Sequence, residues 1–282
     1  MGNEILLELL REDLGKGDIT SDAVIPKGTA LVAEIIANHE GVAAGIEEAC
    51  WLFKKSGVSA IPKVKDGAHI REGTKLVELS GDARKIFAVE RVALNVIGRM
   101  SGIATMTACA VEIAGKEGSH AQIAATRKTA LGHLDKKAVA LGGGWTHRMG
   151  LYDMLLIKTD HLALVGSISR AVAAAKRKAG KMKVEVEVRS PAQAVEAAAA
   201  GADIVMLDNF RHEEIGEALK KLREAGLRAK AKVELSGGIT LENLHEYAKH
   251  GADIISMGCL THSAPWLDVN LRIRGFSLKR SP

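Results

Sequence analysis

Cysteine is scarce in this 282-residue chain: Cys50, Cys109 and Cys259 are odd in number and far apart. That excludes a disulfide framework and a clustered zinc site, and each is expected as a small core residue. Aromatic residues are few as well, three Trp, two Tyr and four Phe, which leaves little for base stacking. No Lys/Arg block exceeds a few residues, so a pI near 9 and a formal charge of +5 do not point to nucleic acid. Long apolar runs are missing too. The longest stretch free of Asp, Glu, Lys and Arg, Ile254 to Leu267, has 14 residues, short of the ~20 that span a bilayer. No membrane helix is expected. The start, MGNEILLELLRED, puts acids among its leucines and lacks a basic n-region followed by an apolar block. A mature cytoplasmic protein is the expectation.

What is present suits a globular fold. With 47% hydrophobic and 26% charged residues, the chain can bury a sizeable core in one large domain or two ordinary ones. AGADIVMLDN (200–209) recurs fifty residues later as HGADIISMGC (250–259). In each copy a helical segment ends at Gly201 or Gly251, where glycine makes a left-handed cap cheap, and a short apolar run follows. Extending this rhythm predicts strands at about 121–127, 154–159, 183–188, 204–208, 231–235 and 254–258. Helices lie between the later strands; those beginning SISRAV and SPAQAV open with a serine cap, and TLENLHEYAKHG carries Thr240 and Glu242 near its start. Near-continuous apolar strands alternating with helices mean a parallel sheet covered by helices, and six or seven such units favour a barrel.

The first hundred residues follow another pattern. After a short helix over Glu4–Glu12, LREDLGKGDITSDAV reads as loop. The segments ALVAEIIANHEG and TKLVELSG then alternate like strands around the turns Asp66-Gly67 and Glu72-Gly73, an α+β unit. From Ala83 to about Gly115 a long amphipathic helical region follows, with a break expected near Ser101-Gly102. In the tail, apolar residues at 267, 269, 271 and 273 read as a strand returning to the first domain.

In a βα barrel the reacting groups gather at the carboxyl ends of the strands. Polar residues stand there strand after strand: Arg127 and Lys128, Lys158, Glu185 and Glu187, Asp208, then Glu234 and Ser236. The early strands supply cations and the later ones acids. A mouth sorted in this way suits an anionic substrate on one side and a metal or sugar hydroxyls on the other. Between the first two strands, Gly142–Gly144 precede His147 and Arg148; such glycines let backbone approach a ligand, but the spacing is not a dinucleotide fingerprint. ELSGGIT and SMGCLTHS are glycine-rich turns leading into helices, which can present backbone N–H groups to a phosphate.

These residues resemble the quinolinate phosphoribosyltransferases, also called nicotinate-nucleotide pyrophosphorylases (carboxylating). The resemblance runs through EDLGKGDITSD, ERVALNVIGRMSGIAT, TRKT, GGGWTHRMGLYDMLLIK, EVEV, MLDN, SGGI and GCLTHSAPWLD, nearly the whole chain. It implies an α/β fold with an N-terminal α+β sandwich domain and an incomplete seven-stranded α/β barrel. The corresponding domains are residues 1–105, joined by 267–282, and the catalytic barrel over 106–266. The implied reaction joins quinolinate to phosphoribosyl pyrophosphate, giving nicotinate mononucleotide, pyrophosphate and CO2 for NAD synthesis. Mg2+ is the implied cofactor.

Carried over by residue, Arg127, His147, Arg148 and Lys158 look like the cationic pocket for the two carboxylates. Arg91 resembles an arginine that reaches the partner's pocket in a homodimer. Lys128, Glu187 and Asp208 match residues facing the phosphoribosyl pyrophosphate and its metal, with Glu187 and Asp208 as the metal side. Ser236, Gly237, Gly238 and Gly258 match the 5-phosphate loops. Lys128, Lys158, Glu187 and Asp208 are the expected catalytic set. Two departures stand out: the family's TRKTTPG is TRKTALG here, and its LIKDNH is LIKTDH, with Thr159 and Asp160.

The chemistry independently asks for such a site. Breaking the bond to the anomeric carbon builds positive charge on the sugar while pyrophosphate leaves, so fixed cations and a metal belong on the leaving group. Loss of CO2 from carbon 2 then needs no obligatory general base, because the quaternised ring nitrogen accepts the electrons. Two other readings compete with this one. A molybdenum-transport-associated relative keeps TRK and HRxGL but generally lacks a lysine at the position of Lys158 and the THSAP ending, and a Schiff-base aldolase would use Lys158 as nucleophile. A scaffold protein would have no use for acids and cations on successive strand ends.

Overall fold

The computed structural model describes residues 2–278. In chain order the first elements are α1 (Gly2–Leu14), α2 (Ile19–Val24), β1 (Ala30–Ala37), β2 (Gly41–Val42), α3 (Ile46–Lys55), β3 (Ser59–Pro62), β4 (His69–Ile70), β5 (Lys75–Asp82) and α4 (Ala83–Lys116). There follow β6 (Gln122–Ala125), α5 (His133–Leu141), β7 (Leu155–Ile157), α6 (Thr159–Val165), α7 (Ile168–Ala179), β8 (Val184–Val188), α8 (Pro191–Ala199) and β9 (Ile204–Asp208). The last are α9 (His212–Glu224), β10 (Lys232–Ser236), α10 (Leu244–Ala248), β11 (Ile254–Met257), α11 (Cys259–His262) and β12 (Val269–Ser277). They form two compact units, one holding the chain up to Met106, His133–Gly142 and the segment from Ala264, the other Thr107–Gly132 and Gly143–Ser263.

The first unit is built on an antiparallel sheet in the order β12-β1-β5-β3. The tail strand pairs with β1 from Val269 to Ser277, and residues 279–282 of that tail lie outside the described residues. Leu6, Ile35, Leu52, Phe53, Leu76 and Ile97 are fully buried and fill its core. Segment 133–142 groups with this unit rather than with the barrel. The reason is a forked ion pair: Arg99 Nε and Nη2 donate to the two oxygens of the buried Asp135 at 2.8 and 2.7 Å.

Three local expectations are corrected here. The loop after α1 contains α2, because the Asp18 carboxylate accepts the Ser21 N–H at 3.0 Å and caps a helix start. No break occurs at Ser101-Gly102: α4 is continuous. Ser101 is buried and its hydroxyl both accepts from Ala44 N and donates to Ala44 O. A side chain on Gly102 would collide with the carbonyl of Pro265. These two small residues permit close packing against the helix rather than ending it. Cys109 is exposed, whereas Cys50 and Cys259 are buried; it sits on α4 about a quarter-turn from the buried Ala110.

By length and composition α4 is apolar enough to cross a membrane, and 56% of its most apolar window is buried inside the protein, as in a core helix.

The second unit is a six-stranded parallel sheet in the order β6-β11-β10-β9-β8-β7, with helices in the connections. This is the incomplete barrel. In place of a full seventh strand there is a single parallel bridge between Trp145 and Ala124. Trp145 packs on Ala124, Met154, Ile204 and Ile254, so a large ring closes the space where strand pairing stops. Ser167 and Ser190 cap α7 and α8 by accepting the N–H groups of Arg170 and Gln193. In α9, Ile215, Ala218, Leu219 and Leu222 form the buried stripe of an amphipathic helix. The helix expected from Thr240 is shorter: Thr240 N donates to Asn243 Oδ1, and α10 begins only at Leu244.

The fifty-residue echo has a structural cause. Gly201 and Gly251 hold φ of 96° and 72°, and the aspartate two positions on stitches the sheet. Asp203 Oδ2 accepts Val184 N, and Asp253 Oδ2 accepts Val233 N, each at 2.7 Å. Each GAD segment thus fixes the start of its own strand beside the start of its neighbour.

Candidate active site

Side chains two apart on a strand share a face, and the inward face of the barrel carries Glu185 and Glu187, Asp208, Glu234 and Ser236. Arg127 and Lys128 follow β6 directly, and Lys158 follows β7. These strand ends open on one cavity of about 730 Å³, a volume suited to a small-molecule site. Every expected site residue except Arg91 lines it: Arg127, Lys128, His147, Arg148, Lys158, Glu187, Asp208, Ser236, Gly237, Gly238 and Gly258. Arg91 belongs to the first unit, exposed on α4.

Cations and acids share the cavity lining. Its cations include Arg127, Lys128, Arg148 and Lys158, of which Arg148 is buried. Burial lowers the Arg148 pKa, and Arg127 nearby adds to that effect. The acids Glu187 and Asp208 meet a counter-ion that sequence reading missed. Arg189 Nη2 lies 3.2 Å from Asp208 Oδ2 and 3.6 Å from Glu187 Oε1. Asn209 Nδ2 donates to Asp208 at 2.8 Å, and Thr159 Oγ1 donates to Glu187 at 3.1 Å. The substituted position Thr159 therefore lands in the site. Only its place after Lys158 hinted at that.

Gly237 and Gly238 hold φ of 107° and 61°. A side chain at Gly237 would meet Asn209, so bare backbone faces the cavity there. The helices after these turns, α10 and α11, have five and four residues; their dipoles add little, and any anion contact rests on backbone N–H groups. Thr261 Oγ1 donates to Lys128 O at 2.8 Å and fixes the loop that carries Lys128.

A charged cluster borders the cavity. His147 holds φ of 52°, an uncommon left-handed conformation for a non-glycine residue. Its ring packs against Trp145 at 4.7 Å. Nε2 stands 2.9 Å from Glu234 Oε2 and 3.3 Å from Glu185 Oε2, and both glutamates are fully buried. Burial alone would favour neutral imidazole, but the two carboxylates outweigh it and raise the His147 pKa to about 9. Burial, then Glu234, pushes the Glu185 carboxyl up. The three donor atoms lie within 4.8 Å of one another, a spacing that could hold a divalent cation. A nitrogen donor between two buried carboxylates suits magnesium poorly, since magnesium prefers oxygen ligands and retained water. The short His147–Glu234 contact has the geometry of an ion pair instead.

Comparison with known proteins agrees with this architecture. The family model "Quinolinate phosphoribosyl transferase, C-terminal domain" matches residues 103–272, and its N-terminal counterpart matches 18–101. A probable nicotinate-nucleotide pyrophosphorylase (carboxylating) of Methanothermobacter thermautotrophicus is 45% identical over 275 residues, covering 96% of this chain and 99% of the relative. One from Bacillus subtilis is 41% identical over 276 residues, covering 96% and 92%. The crystal structure of nicotinate-nucleotide pyrophosphorylase from Ehrlichia chaffeensis superposes with a TM-score of 0.90 at 32% identity, covering 97% of this chain and 99% of that one. Matched across both domain models, the chain belongs to the quinolinate phosphoribosyltransferase family.

Proposed function

We propose that this protein transfers the phosphoribosyl group of phosphoribosyl pyrophosphate to quinolinate, with loss of CO2, to give nicotinate mononucleotide and pyrophosphate for NAD synthesis. The observation that carries the reading is the lining of one cavity: the cations Arg127, Lys128, Arg148 and Lys158 together with the Glu187–Asp208 pair and the positive-φ glycines Gly237 and Gly238.

In this reading Arg127, Arg148 and Lys158 take the two carboxylates of quinolinate, with His147 beside them. Arginine forks suit carboxylates because two parallel N–H donors match two oxygens. Their grip sets the ring nitrogen toward the sugar, and orientation of this kind accounts for much of a transfer rate. Lys128 stands on the diphosphate side and stabilises charge on the leaving group. Bare backbone at Gly237, Gly238 and Gly258, with Ser236, receives the 5-phosphate.

The donor set fits magnesium. Glu187 and Asp208 offer carboxylate oxygens, and the Arg189 guanidinium already bridges them as a stand-in cation. These two acids would hold the ion or its water shell, and when bound it would neutralise charge on the diphosphate. After transfer the quaternised ring nitrogen draws the electrons left by CO2, so no side chain has to act as an obligatory base.

Two further assignments belong to the same reading. Arg91, exposed and outside the cavity lining, completes a partner's pocket in a homodimer. The reaction runs in the cytoplasm, in keeping with three cysteines that form no disulfide. The test of function is pyrophosphate release from phosphoribosyl pyrophosphate and magnesium, measured with quinolinate and separately with nicotinate. Release dependent on quinolinate supports the reading; its absence with an intact fold rejects it.

A further inference from the structure

Phosphoribosyl transfer as derived above has no use for Glu185 or Glu234, yet both are fully buried, and Glu234 lines the cavity. Two buried carboxylates at a pocket for a dianion work against binding unless a cation offsets them. His147 pairs with both. It lines the cavity, and its Nε2 faces Glu234 Oε2 at 2.9 Å and Glu185 Oε2 at 3.3 Å. The Glu234 carboxylate is itself fixed, because Ser256 Oγ donates to its other oxygen at 2.6 Å. Glu185 has no hydrogen-bond partner for either oxygen and stands against the ring at 3.3 Å. The ring is also set by the Trp145 contact and by the left-handed backbone at 147.

We propose that Glu234, with Glu185 behind it, is a positioning residue that fixes His147 as an imidazolium for one carboxylate of quinolinate. This rests on the functional reading above. With Nε2–H committed to Glu234, the Nδ1–H of the charged ring is the donor left for a substrate oxygen. The charged groups around the ring are Glu185 on β8, Glu234 on β10, and Arg148 next in the chain; Ser256 on β11 acts through Glu234. The sign follows from the pairing. A raised folded-state pKa keeps the ring charged through neutral pH and lets it go only near pH 9, so quinolinate binding should hold across that range and weaken above it.

The experiment is a histidine 15N NMR titration of the full-length protein, with His147→Gln used to assign the signal. In the wild type His147 should remain doubly protonated at pH 7.5, well above the ordinary midpoint of about 6.5. In Glu234→Gln its midpoint should fall by about one unit or more. Above the new midpoint the KM for quinolinate should then rise about tenfold per pH unit, as the charged fraction falls, while the KM for phosphoribosyl pyrophosphate stays within about twofold. Glu234→Asp should recover part of the shift. A wild-type His147 that titrates near 6.5 overturns the proposal, as does an unchanged midpoint in Glu234→Gln. If the buried Gln prevents folding, the wild-type titration decides alone, with Ser256→Ala as the milder variant. Absence of quinolinate turnover in a protein whose His147 titrates high would reject the functional reading and leave the charged ring standing.

Discussion

Arg189 and Asp208 join the ends of two neighbouring strands, with Nη2 3.2 Å from the carboxylate, and Glu187 stands 3.6 Å from the same nitrogen. These two acids, bridged by one guanidinium, are the pair proposed above to hold the metal ion. Arg189 is 53% exposed, and an occupant open to water is easily replaced.

Glu187→Gln and Asp208→Asn should therefore lower magnesium-dependent turnover by on the order of a hundredfold or more. Calorimetry with quinolinate alone should give a Kd within about twofold of wild type, because the proposed roles of these acids are toward the sugar and metal rather than the carboxylates of quinolinate. Loss of quinolinate binding in either variant would show that these roles are wrongly assigned.

Arg148 is buried beside Arg127, where a charge pair counts for more than at the surface. Arg148→Ala should weaken quinolinate binding by about 3 kcal/mol, roughly a hundredfold in Kd. Nicotinate, with one carboxylate, should be a far poorer substrate for the wild type. Equal turnover of both acids would contradict the pocket.

Gly102→Ala puts a methyl group against the Pro265 carbonyl. Overpacking of this kind typically costs about 1–3 kcal/mol, so a thermal melt should show a clear drop in Tm. An unchanged Tm would mean that this contact is looser than the geometry indicates.

The same glycine shows where sequence reading runs out. Gly102 was expected to break a helix because local propensity was the only guide; its purpose depends on Pro265, more than 160 residues away. The strands were legible because β9 and β11 are short, largely apolar and bounded by turn residues, β8 alternates valine with glutamate, and the GAD echo marked two of them. The strand-end side chains followed from alternation. Alternation could not distinguish depth: Glu185 and Glu187 share a face, yet Glu185 is fully buried with His147 while Glu187 reaches the cavity. Arg189 escaped notice because it lies one residue beyond its strand, where an arginine usually points to water. Trp145 replaces a strand with one bridge, and a single bridge leaves no periodic trace.

A shared site predicts complementation. Arg91→Ala and Lys158→Ala should each be nearly inactive alone, and mixed subunits should regain activity because one pocket in each heterodimer carries both wild-type residues. If exchange of subunits is demonstrated and no activity returns, Arg91 does not act across an interface.

The most direct measurement follows the carbon that leaves. Quinolinate labelled in its 2-carboxylate is incubated with the protein, phosphoribosyl pyrophosphate and magnesium, and labelled CO2 and pyrophosphate are counted together. The account predicts one CO2 per pyrophosphate, with label absent from the nicotinate mononucleotide formed. Pyrophosphate released without CO2, or label retained in the nucleotide, would contradict it.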